Sequence, residues 1–322
     1  MALFNVNLMI REARLAKGLT QGKLAEGICS RETIVKLENG SRKPNWFVYK
    51  ELMLRLGIEA DMHHEDIGTE DEVHIIQTVN EWSRYAAAEN RNALKAEIDK
   101  IDSEIKKNSR TGKLWQSGIG YRYLLHTKAV LFSGGSHKKP ELAVQYATEC
   151  IRFTRPDFAI EKIPSYYLAT HERFLLNTLA NAYAELEAPI KALEIHKMLK
   201  QNMEKGYHAT TDIRLEKEYQ VLLRNLIIEL CETEQYEESL LVAEEGLRCA
   251  EISHNIRLYS HCIDGKAFSL IKLGRIAEGK ALYKKYFLLS CALDGHMNYN
   301  FAADKDTYEK TYNEKLDLCV EW

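Results

Sequence analysis

No stretch of this chain holds the roughly 18 consecutive apolar residues that a membrane-spanning helix needs. Its opening residues, "MALFNVNLMIREAR", also lack the apolar core of a secretion signal. A cytoplasmic protein with no membrane attachment is expected. Proline is scarce, 5 in 322 residues, and glycine stops at 17, so long helices with short connections fit better than a turn-rich sheet. No convincing alternating strand pattern is found. The 7 cysteines form no C-x-x-C pair. Cys29, Cys150, Cys231, Cys249, Cys262, Cys291 and Cys319 lie scattered through helical patterns, as reduced, buried thiols do. The fingerprints of catalysis are missing too: no Walker loop, no G-x-G-x-x-G, no H-E-x-x-H and no G-x-S-x-G. Gly118 and Gly120 in "SGIGYRY" are a lone G-x-G inside a helical stretch. His63, His64, Glu65 and Asp66 are immediate neighbours in a polar segment, and four adjacent residues rarely wrap a metal without partners elsewhere. Neither an enzyme, nor a cofactor, nor a metal site is expected.

What the chain does have is an uneven charge. The net charge is −3, yet residues 1–60 carry 10 Lys and Arg against 6 Asp and Glu. A small basic head on an acidic body is suited to meeting phosphates. Four helices are expected in the head. The first runs from Asn5 to Lys17, with Leu8, Ile10, Ala13 and Leu15 apolar, and ends at Gly18. Thr20 caps a short second helix, "QGKLAEGI". Ser30 caps a third that ends at Asn39-Gly40, and a fourth runs from about Asn45 to Leu56, closed by Gly57. In the third helix, the 100° rotation per residue puts Ile34, Leu37 and Glu38 on one side. Arg31, Glu32, Val35 and Lys36 fall on the other. Those outward groups suit base edges in a major groove. Arg pairs with guanine, Glu accepts from cytosine N4, and Val touches a thymine methyl.

The stretch "KGLTQGKLAEGICSRETIVKLENGSRKP" resembles the helix-turn-helix of phage-repressor (XRE-type) regulators. The L-T-Q entry, the L-A pair and the L-E-N-G exit carry the likeness, over about residues 5–58. Gly22 departs from it, standing where the family has a longer helix-favouring residue. The resemblance implies base contacts from Arg31, Glu32, Val35 and Lys36. It implies phosphate contacts from Gln21, Ser30, Asn39, Arg42 and Lys43, and a structural ion pair between Arg14 and Glu38.

"EADMHHEDIGTED" is polar and aperiodic, a linker or boundary over residues 61–71. Beyond it the pattern is helix after helix. Helices are expected at 70–88, 90–107, 113–133, 140–154, 164–186, 189–204, 212–232, 236–252, 256–273, 276–291 and 301–319. A loose internal repeat runs through them. "LANAYAELEAPIKALEIHKML", "LIIELCETEQYEESLLVAEEGL" and "KAFSLIKLGRIAEGKALYKKY" share one layout. Each is an apolar helix, a polar turn and a small residue (Ala192, Ser239, Gly279), with His196, Ala243 or Tyr283 four further on. "AVLFSGGSHKKPELAVQYATECI" is a less regular copy. The expected fold is therefore all-α: a four- or five-helix head over residues 1–60, then a right-handed α-solenoid over 72–322.

The repeats resemble the degenerate tetratricopeptide units of Rgg/PlcR-type (RRNPP) peptide-responsive transcriptional regulators. In stacked pairs the first helices line a concave side, where an extended peptide needs amides and charges. One face there collects Arg122, Tyr123, His126, Arg173, Asn177, Asn181, Tyr219, Arg224, Asn225, His261 and Asp264. An arginine among them is suited to a peptide carboxylate. The resemblance implies a homodimeric quorum-sensing regulator that binds an imperfectly palindromic double-stranded DNA and is controlled by a short signalling peptide. Two other readings stay open: a DNA-tethered protein-interaction scaffold, and a ligand-independent phage-type repressor that uses the repeats only to dimerise.

Overall fold

The computed structural model describes residues 6–58, 70–87, 90–205, 213–215 and 217–294, with 306, 309, 310 and 315. Among the described residues every regular element is a helix. None of these helices is long and apolar enough to cross a membrane. The tract from His63 to Asp66 and Cys319 fall outside the described residues, as does the expected helix over 301–319 apart from residues 306, 309, 310 and 315.

The head consists of α1 (Val6–Ala16), α2 (Gln21–Ala25), α3 (Arg31–Glu38) and α4 (Trp46–Leu56). The side chains of Thr20, Ser30 and Asn45 accept the backbone N–H of Lys23, Thr33 and Val48 at 3.1, 3.1 and 2.9 Å. Each satisfies a donor that a helix start leaves orphaned, an effect of about 1 kcal/mol per cap. Gly57, at φ 72°, ends α4 in the left-handed region. Ile10, Leu24, Ile34, Leu37, Leu52 and Met53 form a fully buried centre. The expected stripe on α1 is corrected in one respect: Leu8 and Leu15 are 49% and 57% exposed. The buried face of α1 runs instead through Ile10 and Arg14, because Arg14 is drawn inward to a carboxylate.

Then come α5 (Glu70–Ala87), α6 (Arg91–Lys106), α7 (Arg110–Leu114), α8 (Gly118–Phe132), α9 (Pro140–Thr154), α10 (Thr170–Glu185) and α11 (Pro189–Glu204). A 3₁₀ turn, Ile160–Ser165, lies between α9 and α10. The remainder is α12 (Lys217–Glu232), α13 (Tyr236–Ser253), α14 (Ile256–Lys272) and α15 (Ile276–Asp294). The helices pack as successive pairs: α8 with α9, α10 with α11, α12 with α13, α14 with α15. The chain divides into two compact units, Met1–Thr210 and Thr211–Trp322, so the head shares a unit with the first repeats. The small positions of the repeat lie where paired helices touch. Ala192 and Ser239 are fully buried, and a Cβ on Gly279 would stand 2.7 Å from the carbonyl of Ala267.

Two expected boundaries shift. Instead of one helix over 113–133, α7 ends at Leu114 and α8 starts at Gly118. The G-x-G there serves packing: a Cβ on Gly120 would lie 2.1 Å from the Leu114 carbonyl oxygen, which belongs to backbone and cannot swing aside. Gly120→Ala is therefore expected to cost about 1–3 kcal/mol, as overpacking does. Urea unfolding of the full chain checks this, and an unchanged midpoint would remove the packing account. Instead of a helix from 164, α10 starts at Thr170, and residues 166–169 are non-helical, extended at Tyr166 and Ala169.

Candidate functional site

α3 is a short, firmly anchored rod. Ser30 holds its start, while Ile34 and Leu37 sink into the core with no exposure. Arg31, Glu32 and Lys36 are exposed, and Val35 is half-buried. Glu32 and Lys36 pair one turn apart at 2.7 Å. That pairing holds the Glu32 carboxyl below its usual range. An exposed pair of this kind is worth only about 0–1 kcal/mol, so it opens readily to another partner. Arg42 and Lys43, just beyond α3, are exposed as well. Asn39 accepts from the Ser41 backbone at 3.0 Å and holds the turn that presents them.

Beneath this face Arg14 grips Glu38 with two hydrogen bonds, Nε to Oε1 at 2.5 Å and Nη2 to Oε2 at 2.9 Å. Its third nitrogen donates to the Leu19 carbonyl at 2.8 Å. Gln21 donates to the same carboxylate at 3.0 Å, so its amide belongs to this buried group in the structure. Burial pushes the Glu38 carboxyl up, but the bonds from Arg14 and Gln21 outweigh it and hold the group ionised. The pair ties α1 to α3 and so sets the angle of the rod.

Of the residues expected to hold a peptide, Arg122, Tyr123, His126, Arg173, Asn177 and Asn181 lie in the first unit, and Tyr219, Arg224, Asn225, His261 and Asp264 in the second. Within the first unit, Arg122, Tyr123 and His126 of α8 stand near His171 of α10 and Glu51 of α4. The Tyr123 ring meets the Phe47 ring of α4 at a tilt of 44°, centroids 4.5 Å apart, and the Arg122 guanidinium lies 5.3 Å from the Tyr123 ring. So α4 of the head, rather than open solvent, faces this part of α8. Arg173 is buried and donates to Thr170 at 3.4 Å. Asn177 bonds His196 of the paired helix at 3.0 Å, and Asn181 is half-buried one turn on.

Within the second unit, Tyr219 is 1% exposed and its hydroxyl donates to Glu245. Tyr219 and Asn225 are both buried, and Tyr219 meets Glu245 of the paired helix α13. Arg224 and His261 remain exposed. Desolvation, helped by the charges of Arg224 and Arg257, holds His261 toward its neutral form, at about 4. Asp264 is half-buried on the same helix.

Residues 10–61 match the Helix-turn-helix family model. The match covers α2 to α4 and most of α1, so the head is a helix-turn-helix domain with α3 as its third helix. No curated protein sequence matches the chain. Among solved structures, Bacillus thuringiensis PlcR in complex with the peptide PapR7 and DNA shares the fold. Its TM-score is 0.52 at 18% identity, over 94% of this chain and 98% of that one. ComR from S. thermophilus, in complex with DNA and its signalling peptide ComS, scores 0.46 at 14% identity, covering 94% and 99%. The Streptococcus dysgalactiae SHP pheromone receptor Rgg2 scores 0.44 at 13%, covering 95% and 99%. The likeness to PlcR is one of fold, and the two lower scores add nothing to it.

Composition and spacing alone did not point to the residues that join the helix-turn-helix domain to the repeats: Glu26, Glu51, Arg55, Arg155 and Glu172. Glu51 and Arg55, one turn apart on α4, were the available signal, since both charges lie on a helix that otherwise buries Leu52, Met53 and Leu56.

Proposed function

We propose that this chain is a cytoplasmic, homodimeric, sequence-specific DNA-binding regulator of transcription whose DNA binding is controlled by a short peptide held by the helical repeats. The observation that carries the reading is α3: a capped rod, anchored from beneath, with Arg31, Glu32 and Lys36 in solvent and Arg42 and Lys43 beside them. A B-form major groove is about 12 Å wide and admits one helix. Arg31, in the first turn, fits the bidentate edge of guanine. Lys36 is free to turn from Glu32 toward a base or a phosphate. Arg42 and Lys43 fit the phosphates, where each contact releases a counterion. A dimer offers two such rods, which suits an operator of two inverted half-sites.

The match of residues 10–61 to the helix-turn-helix family supports the DNA half of the reading. For the peptide half, the fold is shared with PlcR, whose structure holds the peptide PapR7 and DNA. In the second unit, exposed Arg224 and Arg257 beside His261 form a cationic spot that fits a peptide carboxylate. No catalytic chemistry is part of this reading.

Duplexes selected from a random pool by the full chain test it. Arg31→Ala should weaken the selected site by about 1–3 kcal/mol and relax the preference at one base pair. Lys43→Ala should weaken all duplexes alike and reduce the salt slope by about one ion. If the chain enriches no sequence, the reading fails. If it does but neither variant alters binding, α3 is not the reading element.

A further inference from the structure

The helix-turn-helix domain is gripped by the repeats on a side that leaves α3 free. Glu26, at the end of α2, accepts from Arg155 Nη1 and from the Tyr167 backbone N–H, both at 3.0 Å. Arg155 is buried. Its Nη2 donates to Glu172 at 3.1 Å, and its guanidinium lies 4.2 Å over the Tyr166 ring. Glu172 has no exposure and also accepts from Ala169 N and Thr154 Oγ1, each at 3.0 Å. From α4, Arg55 donates to the Tyr167 carbonyl at 3.2 Å and lies 4.2 Å over that ring. Glu51 accepts from the Thr170 N–H at 3.3 Å. The fit is close in the turn as well. A Cβ on Gly27 would stand 2.2 Å from Glu172 Oε2, and Gly27 has φ +72°, so a side chain is excluded there twice over.

The receiving segment is itself fixed. Asn202 of α11, fully buried, donates to the carbonyls of Ile163 and Tyr166 at 2.8 and 2.7 Å. Lys205 donates to that of Pro164 at 2.9 Å. Residues 155–172 are thus a rigid seat whose backbone and charges take one pose of the head. Buried charges with directional partners penalise every other pose, because a tilt leaves an unpaired carboxylate or guanidinium out of water.

We infer that Arg155 and Glu172, in the repeats, are positioning residues for operator recognition: they fix the direction of α3 on each protomer and so the half-site spacing that a dimer accepts. This rests on the DNA-binding reading above. Neither lies on α3, so affinity for an isolated half-site should not depend on them.

The test uses the full chain as Arg155→Met, which keeps the stem and removes the fork. Glu26→Gln keeps the shape of the other side and leaves Arg155 paired with Glu172, in case Arg155→Met folds poorly. Two readouts are taken: hydrogen exchange of the amides of Tyr167 and Thr170, and binding to one half-site and to palindromes with the selected spacing or two base pairs more. The expected result is faster exchange at both amides, half-site affinity within about twofold of the parent, and at least about tenfold loss of spacing discrimination. Unchanged exchange, or intact spacing discrimination in folded variants with faster exchange, overturns the inference. If the parent chain selects no duplex at all, the DNA reading fails, while the exchange readout still decides whether Arg155 seats the head.

Discussion

Glu38→Ala should cost the helix-turn-helix domain about 3–5 kcal/mol, the range seen when one partner of a buried ion pair is removed. The Arg14 guanidinium would stay in place, 8% exposed, with only the Leu19 carbonyl left to accept from it. Gln21 would lose its acceptor as well. The loss should be local, because Arg14 and Glu38 link α1 to α3 and nothing in the repeats. Hydrogen exchange of α1 and α3 amides as a function of denaturant reads this directly, since local opening shows up separately from global unfolding. A double replacement, Arg14→Met with Glu38→Leu, separates two explanations. If the pair chiefly fixes orientation, the double variant should recover most of the stability and still bind its selected duplex poorly. If Glu38→Ala exchanges no faster than the parent chain, the pair is dispensable.

Most of the helix-turn-helix domain is legible in the sequence because its signals are local. Thr20, Ser30 and Asn45 sit directly before their helices and bond within three residues. Ile34 and Leu37 fall on one side of a rod by helix geometry alone, and the structure buries both. The close contacts of the repeats were also legible, since Ala192, Ser239 and Gly279 recur at one place in the repeated unit. What escaped depends on distant partners. The run Tyr166–Ala169 reads as the start of a helix. Its backbone leaves the helical ladder because Tyr167 gives its N–H to Glu26 and its carbonyl to Arg55, more than 100 residues away. The inward faces of α8 and α12 show the same limit. The helical register puts Tyr123 and Tyr219 on the concave face with the other expected peptide contacts. It cannot say that one meets Phe47 of the helix-turn-helix domain and the other Glu245 of its own pair.

Acid should loosen the contact of α4 with α8 and α10 before it unfolds the rest. His126 is desolvated beside His171 and Arg122, which pushes it down to about 4 from the usual 6.5. The unfolded chain therefore binds a proton between about pH 6.5 and 4 that the folded chain refuses. Stability from this group is full above 6.5 and is lost as pH falls through 4. The slope is at most about 1.4 kcal/mol per pH unit for one proton, or about 3 kcal/mol in all. His171 is lowered by its own burial and by Arg122, against the pull of Glu51, and adds to the loss with the same sign. Glu51 acts in a lower window. Burial pushes its carboxyl up, but His171, Arg122 and Arg55 hold it at about 2, so its contribution persists until pH falls below about 4 and vanishes near 2. Urea unfolding at pH 7, 6, 5 and 4 should show the decline. His126→Gln, which carries no titrating group, should remove about one proton from the slope between pH 6 and 4.5. An identical slope in the two chains would mean that His126 is already solvated in the folded protein, and that the head does not close over α8 as the Phe47–Tyr123 contact requires.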